Sequence, residues 1–255
     1  MKPLTYKLKD KVAIVTGSSK GIGAEIAKAF ADQKAKVVVS SRNQAAVDQI
    51  AGEIIAAGGT VMAKACHVGH PKELEALVNF TLEHFGSIDI LVNNAATNPV
   101  YGKLSEASSE VFDKIMNVNV KACWTLANLC YPHMVARGGG SVINIASVEG
   151  LKPSSGLGLY SVSKAALIML TKSQAKEWGH KNIRSNAICP GLIQTKFSQS
   201  IWQDEKTLQQ FTQMIPMPRM AQPKEMSGLA TFLASEDSSY VTGGVYTADG
   251  GYMIA

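Results

Sequence analysis

Cysteine is scarce and scattered in this chain. Cys66, Cys123, Cys130 and Cys189 are the four in 255 residues, and they form no C-x-x-C pair and no disulfide-framework spacing. That removes the common zinc and dithiol motifs and leaves free buried thiols as the expectation. His67 and His70 stand three apart, but Val68-Gly69 between them and Pro71 after them argue against a helical metal pair, so no metal is expected. Long apolar runs are missing too. None approaches the roughly 18 residues that a membrane span needs. Charge is thin and mixed: 18% of residues are charged, the net charge is +5, and no Lys/Arg block stands out. A nucleic-acid partner is therefore not expected. Met1 to Lys11 carries four lysines and no apolar centre, unlike a secretory leader, and reads as a solvated arm.

What is present is a globular composition, 46% hydrophobic, in a regular alternation of short β-branched runs and longer amphipathic stretches. Strands are expected at Val12–Thr16, Lys36–Ser41, Thr60–Cys66, Ile88–Val92, Ser141–Ala146, Arg184–Cys189 and Val245–Ala248. Helices are expected at Gly21–Gln33, Gln44–Ala57, Pro71–Phe85, Ser108–Arg137, Leu159–Trp178 and Pro223–Ala234. Such alternation implies a parallel sheet covered on both faces by right-handed crossovers. The fold class is thus α/β, a single-domain Rossmann-type doubly wound sheet over residues 1–255. The irregular stretch 192–219 is too long for an ordinary connection and is a candidate lid.

The first strand runs into Gly17-Ser18-Ser19-Lys20-Gly21-Ile22-Gly23, with a helix after it. Gly17 permits a sharp exit, Gly21 lets backbone approach a pyrophosphate, and Gly23 lets helix and strand pack closely. The helix N-terminus then offers free N–H groups to phosphate. The second strand ends Ser40-Ser41-Arg42-Asn43, with no acid between residues 37 and 47. An acid there would suit the ribose hydroxyls of NAD. Arg42, with Lys20 in the turn, suits a 2′-phosphate, so this spacing favours NADP(H).

Tyr160 and Lys164 are four apart at the start of an apolar-striped helix and share one of its faces. An ammonium beside a phenol favours phenolate and is expected to lower the tyrosine pKa toward the working range. Ser147 follows the fifth strand at its carboxyl end, where open α/β sheets place ligands. Serine, tyrosine and lysine would then converge on one carbonyl oxygen.

Taken with Asn93-Asn94-Ala95-Ala96, Asn119, Pro190-Gly191 and Asp249-Gly250-Gly251, these motifs resemble the short-chain dehydrogenase/reductase family over nearly the whole chain. The resemblance implies that Tyr160 is the acid/base, that Ser147 holds the reacting oxygen, and that Lys164 binds the nicotinamide ribose. It implies that Asn119 holds a water relaying protons through Lys164. It also implies cofactor contacts from Gly17, Ser19, Lys20, Gly21, Ile22 and Gly23, from Ser41, Arg42 and Asn43, from His67 and Val68, from Asn94 and Ala95, from Tyr160 and Lys164, and from Pro190, Gly191, Ile193 and Thr195. The family usually has Asp-Val after the third strand; here the pair is His67-Val68. That form, with Ser40-Ser41-Arg42 and Asn98-Pro99, is similar to the family's dehydrogenase/reductase member 4 group of NADP(H)-dependent carbonyl and retinal reductases. The peroxisomal address of that group is not seen in Met253-Ile254-Ala255, so a cytoplasmic enzyme is expected.

The expected reaction moves hydride between nicotinamide and a small-molecule carbonyl or alcohol. A 3-oxoacyl thioester reductase and an NAD-dependent alcohol dehydrogenase are the alternatives. Thr97-Asn98-Pro99 lacks the arginine that acyl-carrier reductases of this family often show there. Leu157, Phe197, Ile201 and Trp202 suit an apolar pocket, and Glu149 stands where it would touch substrate. The resemblance further implies a homotetramer built on 108–137 and 159–178, with Ala122, Ala127, Ala165 and Ala166 as small residues for helix contact.

Overall fold

In the computed structural model, which describes residues 6–255, seven parallel strands form one sheet in the order β3-β2-β1-β4-β5-β6-β7. In chain order the strands are β1 Val12–Thr16, β2 Lys36–Ser41, β3 Thr60–Ala65, β4 Ile90–Asn93, β5 Gly140–Ile145, β6 Ile183–Pro190 and β7 Val245–Ala248. The helices are α1 Gly21–Asp32, α2 Gln44–Ala56, α3 Pro71–Phe85, α4 Ser109–Met116, α5 Ala122–Ala136, α6 Gly158–Trp178, α7 Gln199–Trp202, α8 Glu205–Gln213 and α9 Ser227–Ala234. Strand order reverses between β1 and β4, which opens a crevice at their carboxyl ends.

Every residue of β1 is buried, as a strand covered on both faces requires. Its alternation feeds two cores. Ala13 and Val15 join Ile26 and Phe30 of α1 with Ala230 and Leu233 of α9. Ile14 joins Leu74 and Leu77 of α3 with Leu126 and Met134 of α5 on the other face. Pro71 opens α3, left-handed Gly86 closes it, and the Asn43 side chain caps α2 through the Ala46 N–H at 3.1 Å.

Four differences from the sequence reading have local causes. β4 begins at Ile90 rather than Ile88, because the Asp89 carboxylate accepts from the Val12 N–H at 2.8 Å and pairs with Arg137 at 3.1 Å. The stretch 108–137 divides at a π-helical turn, Asn117–Lys121. The stretch 192–219 carries α7 and α8, and an isolated bridge between Ile193 and Ala221 closes its base. From residue 6 onward the N-terminal arm is anchored as well as solvated: Tyr6, Lys7, Lys9 and Asp10 are exposed. Leu8 is fully buried, Lys7 pairs with Asp237 and Lys11 with Glu236. Residues 1–5 of that arm lie outside the described ones.

All four cysteines are free and buried. Of the small helix residues, Ala122 and Ala127 turn inward to the protein's own core. Ala165 is exposed, and the large apolar groups facing out nearby are Phe112, Trp124, Val162 and Met169. No helix among the described residues is long and apolar enough to cross a membrane.

Candidate active site

The glycine turn is closed from beneath and open above. Gly17 and Gly21 both have positive φ, +64° and +59°. A Cβ on Gly17 would meet the Ala95 backbone at 2.9 Å, and one on Gly23 would meet the Gly17 carbonyl at 2.7 Å. The Asn94 side chain donates to the carbonyls of Thr16 and Gly17 at 2.9 and 3.1 Å, so it fastens the turn to the end of β4. Gly21 is different: a Cβ there would meet no backbone, only a Thr195 methyl at 3.4 Å on the opposite wall of the cleft.

One cleft of about 1420 Å³ runs along the carboxyl edge of the sheet. Gly17, Ser19, Lys20, Gly21 and Ile22 line it, with Ser41, Arg42 and Asn43 after β2, His67 and Val68 after β3, and Asn94 and Ala95 after β4. Ser147 follows β5, Tyr160 and Lys164 come from α6, and Pro190, Gly191, Ile193 and Thr195 follow β6. Two expected residues are not on the wall. Gly23 lies under the turn, and Asn119 is fully buried in the π turn. The Asn119 side chain is held at both ends: its oxygen accepts from the Thr97 N–H at 2.8 Å, and its nitrogen donates to the Thr97 carbonyl and to Ser163 Oγ at 3.0 Å each. It therefore ties the segment after β4 to α6, with one acceptor position left on its oxygen.

The chemical centre lies where β5, α6 and the segment after β6 meet. Lys164 is 2% exposed, and its ammonium donates to the Ile145 carbonyl at 2.7 Å. Burial holds that ammonium down to about 8. The Lys164 Nζ stands 5.6 Å from the centre of the Tyr160 ring. Burial also pushes the Tyr160 phenol up from its ordinary value; a hydrogen bond with Ser147 pulls it down, and the Glu149 and Cys189 charges push it up. The lowering expected from Lys164 is not among these influences, and desolvation dominates. The lysine lies over the ring and is bound to a backbone carbonyl.

At the outer end, Phe197 packs against Tyr160 with ring centres 5.3 Å apart, and Leu157, Ile201 and Trp202 line the same cleft. The Trp202 indole donates to the Thr195 carbonyl at 2.9 Å, which pins α7 to the cleft rim. Glu149 lines the cleft, but its carboxylate is taken by the Ser154 N–H and by the hydroxyls of Ser154 and Ser161. Tyr101 was not anticipated. It is 78% exposed in the cleft mouth and rests on Gly156, where a Cβ would stand 2.5 Å from the ring. The only sequence signal for that seat is Gly156 itself, two residues before a helix start. His70 also lines the cleft, its ring stacked on that of His67 at 4.3 Å.

Residues 17–253 match the family model described as enoyl-(acyl carrier protein) reductase. Dehydrogenase/reductase SDR family member 4 from Oryctolagus cuniculus is 46% identical over 244 residues, covering 96% of this chain and 94% of that protein. Among solved structures, gluconate 5-dehydrogenase from Burkholderia cenocepacia J2315, in complex with NADP and tartrate, superposes with a TM-score of 0.94 at 29% identity over 98% of both chains. A 7α-hydroxysteroid dehydrogenase complexed with NADH and 7-oxo glycochenodeoxycholic acid gives 0.92 at 35% identity, over 97% of this chain and 96% of that one.

Proposed function

The chain belongs to the short-chain dehydrogenase/reductase family, an oxidoreductase acting on CH–OH and C=O groups, and from that membership we propose that it is an NADP(H)-dependent carbonyl reductase for apolar ketones and aldehydes. The observation that carries this reading is the single cleft that joins a phosphate-type glycine turn and two cations at one end to Ser147, Tyr160, Lys164 and an apolar mouth at the other.

The residues present fit the dinucleotide. Gly21 leaves a cradle that a Cβ would partly fill, at the N-terminus of α1. Arg42 and Lys20 are exposed at the adenine end and pair with no carboxylate among the described residues. Lys164 has one carbonyl partner and donors to spare for ribose hydroxyls. When bound, the nicotinamide supplies or accepts the hydride.

This chain's own part is proton handling and orientation. Ser147 Oγ accepts from the Glu149 N–H at 3.1 Å, which leaves its own hydrogen free to point at a substrate oxygen. Tyr160 donates its proton to that oxygen in reduction and takes it back in oxidation. Lys164 favours the phenolate once formed and shifts the balance toward proton release. Asn119, fixed against Thr97 and Ser163, holds the water that relays protons through Lys164. The apolar lining of Phe197, Leu157, Ile201 and Trp202 supports ketone and aldehyde substrates with aromatic or long-chain groups. Residues 192–219 serve as the lid of a single domain covering 1–255. The assembly is a homotetramer in the cytoplasm, seated on the exposed apolar faces of α4, α5 and α6.

The reading is tested by following NADPH absorbance with a carbonyl panel that includes aryl ketones, aliphatic aldehydes and 3-oxoacyl thioesters. Turnover of aryl ketones or aldehydes supports it. Turnover confined to thioesters, the substrate class named in the family model's description, or to NADH, overturns it.

A further inference from the structure

Glu149 is a buried carboxylate beside the chemical centre with no assigned task. It is 9% exposed, and no cation pairs with it among the described residues. A buried charge persists only when hydrogen bonds replace its water. Three do so: Ser154 N–H at 2.8 Å, Ser154 Oγ at 2.6 Å and Ser161 Oγ at 2.9 Å.

These bonds reach both sides of the reacting groups. The Glu149 N–H holds Ser147 Oγ, while its carboxylate holds Ser161, the residue after Tyr160. The next residue, Gly150, lies flat on α6. A Cβ there would stand 2.7 Å from the Lys164 carbonyl carbon and 2.9 Å from the Ala165 nitrogen. The third connection, to Ser154, steadies the segment that ends at Gly156, the seat of Tyr101. Ser147, Tyr160 and Lys164 come from two separate elements, and this turn is the piece that touches both.

We propose that Glu149 is a positioning residue of the reaction: its buried carboxylate locks the Ser147 turn, the Ser154 segment and the start of α6 into one frame beside Tyr160. The inference rests on the acid/base reading of Tyr160. The other titratable groups around that phenol are Lys164 on the same helix and Cys189 at the end of β6, with Asp249 behind Cys189; Phe197, from the segment after β6, adds no charge. A carboxylate held in this frame also opposes proton loss from Tyr160, the direction in which Glu149 acts on that phenol.

The test is the pH profile of alcohol oxidation with NADP+, where activity rises as Tyr160 loses its proton. Glu149→Gln removes the charge and should move the rising limb down by about one pH unit, the order expected for loss of one charge near a buried phenol. Ser154→Ala keeps the charge, removes one of its donors and loosens the segment; it should raise the substrate KM several-fold and move the limb, if at all, slightly up, opposite to Glu149→Gln. Should Glu149→Gln fail to fold by circular dichroism, Ser161→Ala replaces it. Loss of a donor leaves the charge less neutralised, and the limb should move up by a few tenths of a unit. An unmoved limb in the folded variant of this pair overturns the proposal, as does a Glu149→Gln profile indistinguishable from that of Ser154→Ala. Tyr160→Phe separates the two levels. If it stays active, the acid/base reading falls and this inference falls with it; if it is inactive while the limb stays fixed, only the inference falls.

Discussion

Consider replacing Ser41 by aspartate, with Arg42→Ala plus Lys20→Ala as the companion variant. Ser41 closes β2, and Arg42 and Lys20 stand exposed on the cleft rim beside it. Neither cation is engaged by a carboxylate among the described residues, so a 2′-phosphate would break no existing ion pair on binding. A charge-assisted hydrogen bond contributes about 1.5–3 kcal/mol. Both groups are solvent-exposed and screened, which places the pair together near 2–3 kcal/mol, or roughly a 30- to 150-fold preference for NADPH. Removing both cations should bring that ratio near one while leaving NADH use intact. Ser41→Asp should reverse it, because a carboxylate repels the phosphate and accepts from the free ribose hydroxyls. The assay is kcat/KM for NADPH and NADH with one ketone at fixed ionic strength, with dissociation constants from tryptophan quenching as a second readout. Added salt should erode the wild-type preference. A wild-type preference for NADH, or an unchanged ratio in the double variant, would refute the phosphate clamp.

Three further outcomes are expected. Tyr160→Phe keeps the ring and removes the proton, so turnover should fall by roughly 10²- to 10⁴-fold while NADPH still quenches tryptophan fluorescence; near-normal turnover would exclude Tyr160 as the acid. Lys164→Met should stabilise the protein as it inactivates it. The folded lysine titrates at about 8 against an ordinary 10.5, so below pH 8 the native state carries a charge it would sooner lose, and stability climbs with pH between those values as the unfolded chain holds the extra proton. Removing that charge should raise stability at pH 7 by on the order of 1–2 kcal/mol, net of the lost bond to Ile145. A denaturant midpoint that drops instead would contradict this. Gly156→Ala, at φ +86° and against the Tyr101 ring, should cost about 1–2 kcal/mol and raise KM for aryl ketones several-fold with little change in kcat; an unaltered KM would remove Tyr101 from the substrate wall.

The sheet was readable because its central strands are buried on both faces, so that the apolar runs of Val12–Val15 and Val37–Val39 stand out between turn residues. The glycine turn and the Tyr160–Lys164 spacing were readable because backbone geometry and helix periodicity carry them directly. Other features depend on contacts that local pattern does not encode. The π turn at Asn117–Lys121 inserts a widening into a stretch whose side chains keep a helical rhythm. α7 spans one turn and α8 two to three, with Leu208 and Phe211 as the apolar pair on α8; the Asp204 cap and the Trp202 indole bond hold them, contacts that a short pattern does not announce. Asn119 and Glu149 were placed in the right neighbourhood, but their tasks depend on Thr97, Ser163, Ser154 and Ser161, which only the folded chain brings within reach. The phenol of Tyr160 shows the same limit, since proximity of lysine can be inferred from spacing whereas the depth of burial cannot.

The four shielded sulfurs give this molecule an internal set of opening gauges. Cys66 ends the run after β3, Cys123 and Cys130 lie on the inner side of α5, and Cys189 lies near the end of β6, so both wings of the sheet carry one. Burial pushes their thiols up to about 12, 11, 12 and 11, so the native protein presents little thiolate to an alkylating probe. Labelling at each sulfur then counts how often its own neighbourhood swings open. Mass spectrometry of the labelled peptides would rank those breathing motions strand by strand, with no engineered reporter, and would record which of them ligands quiet.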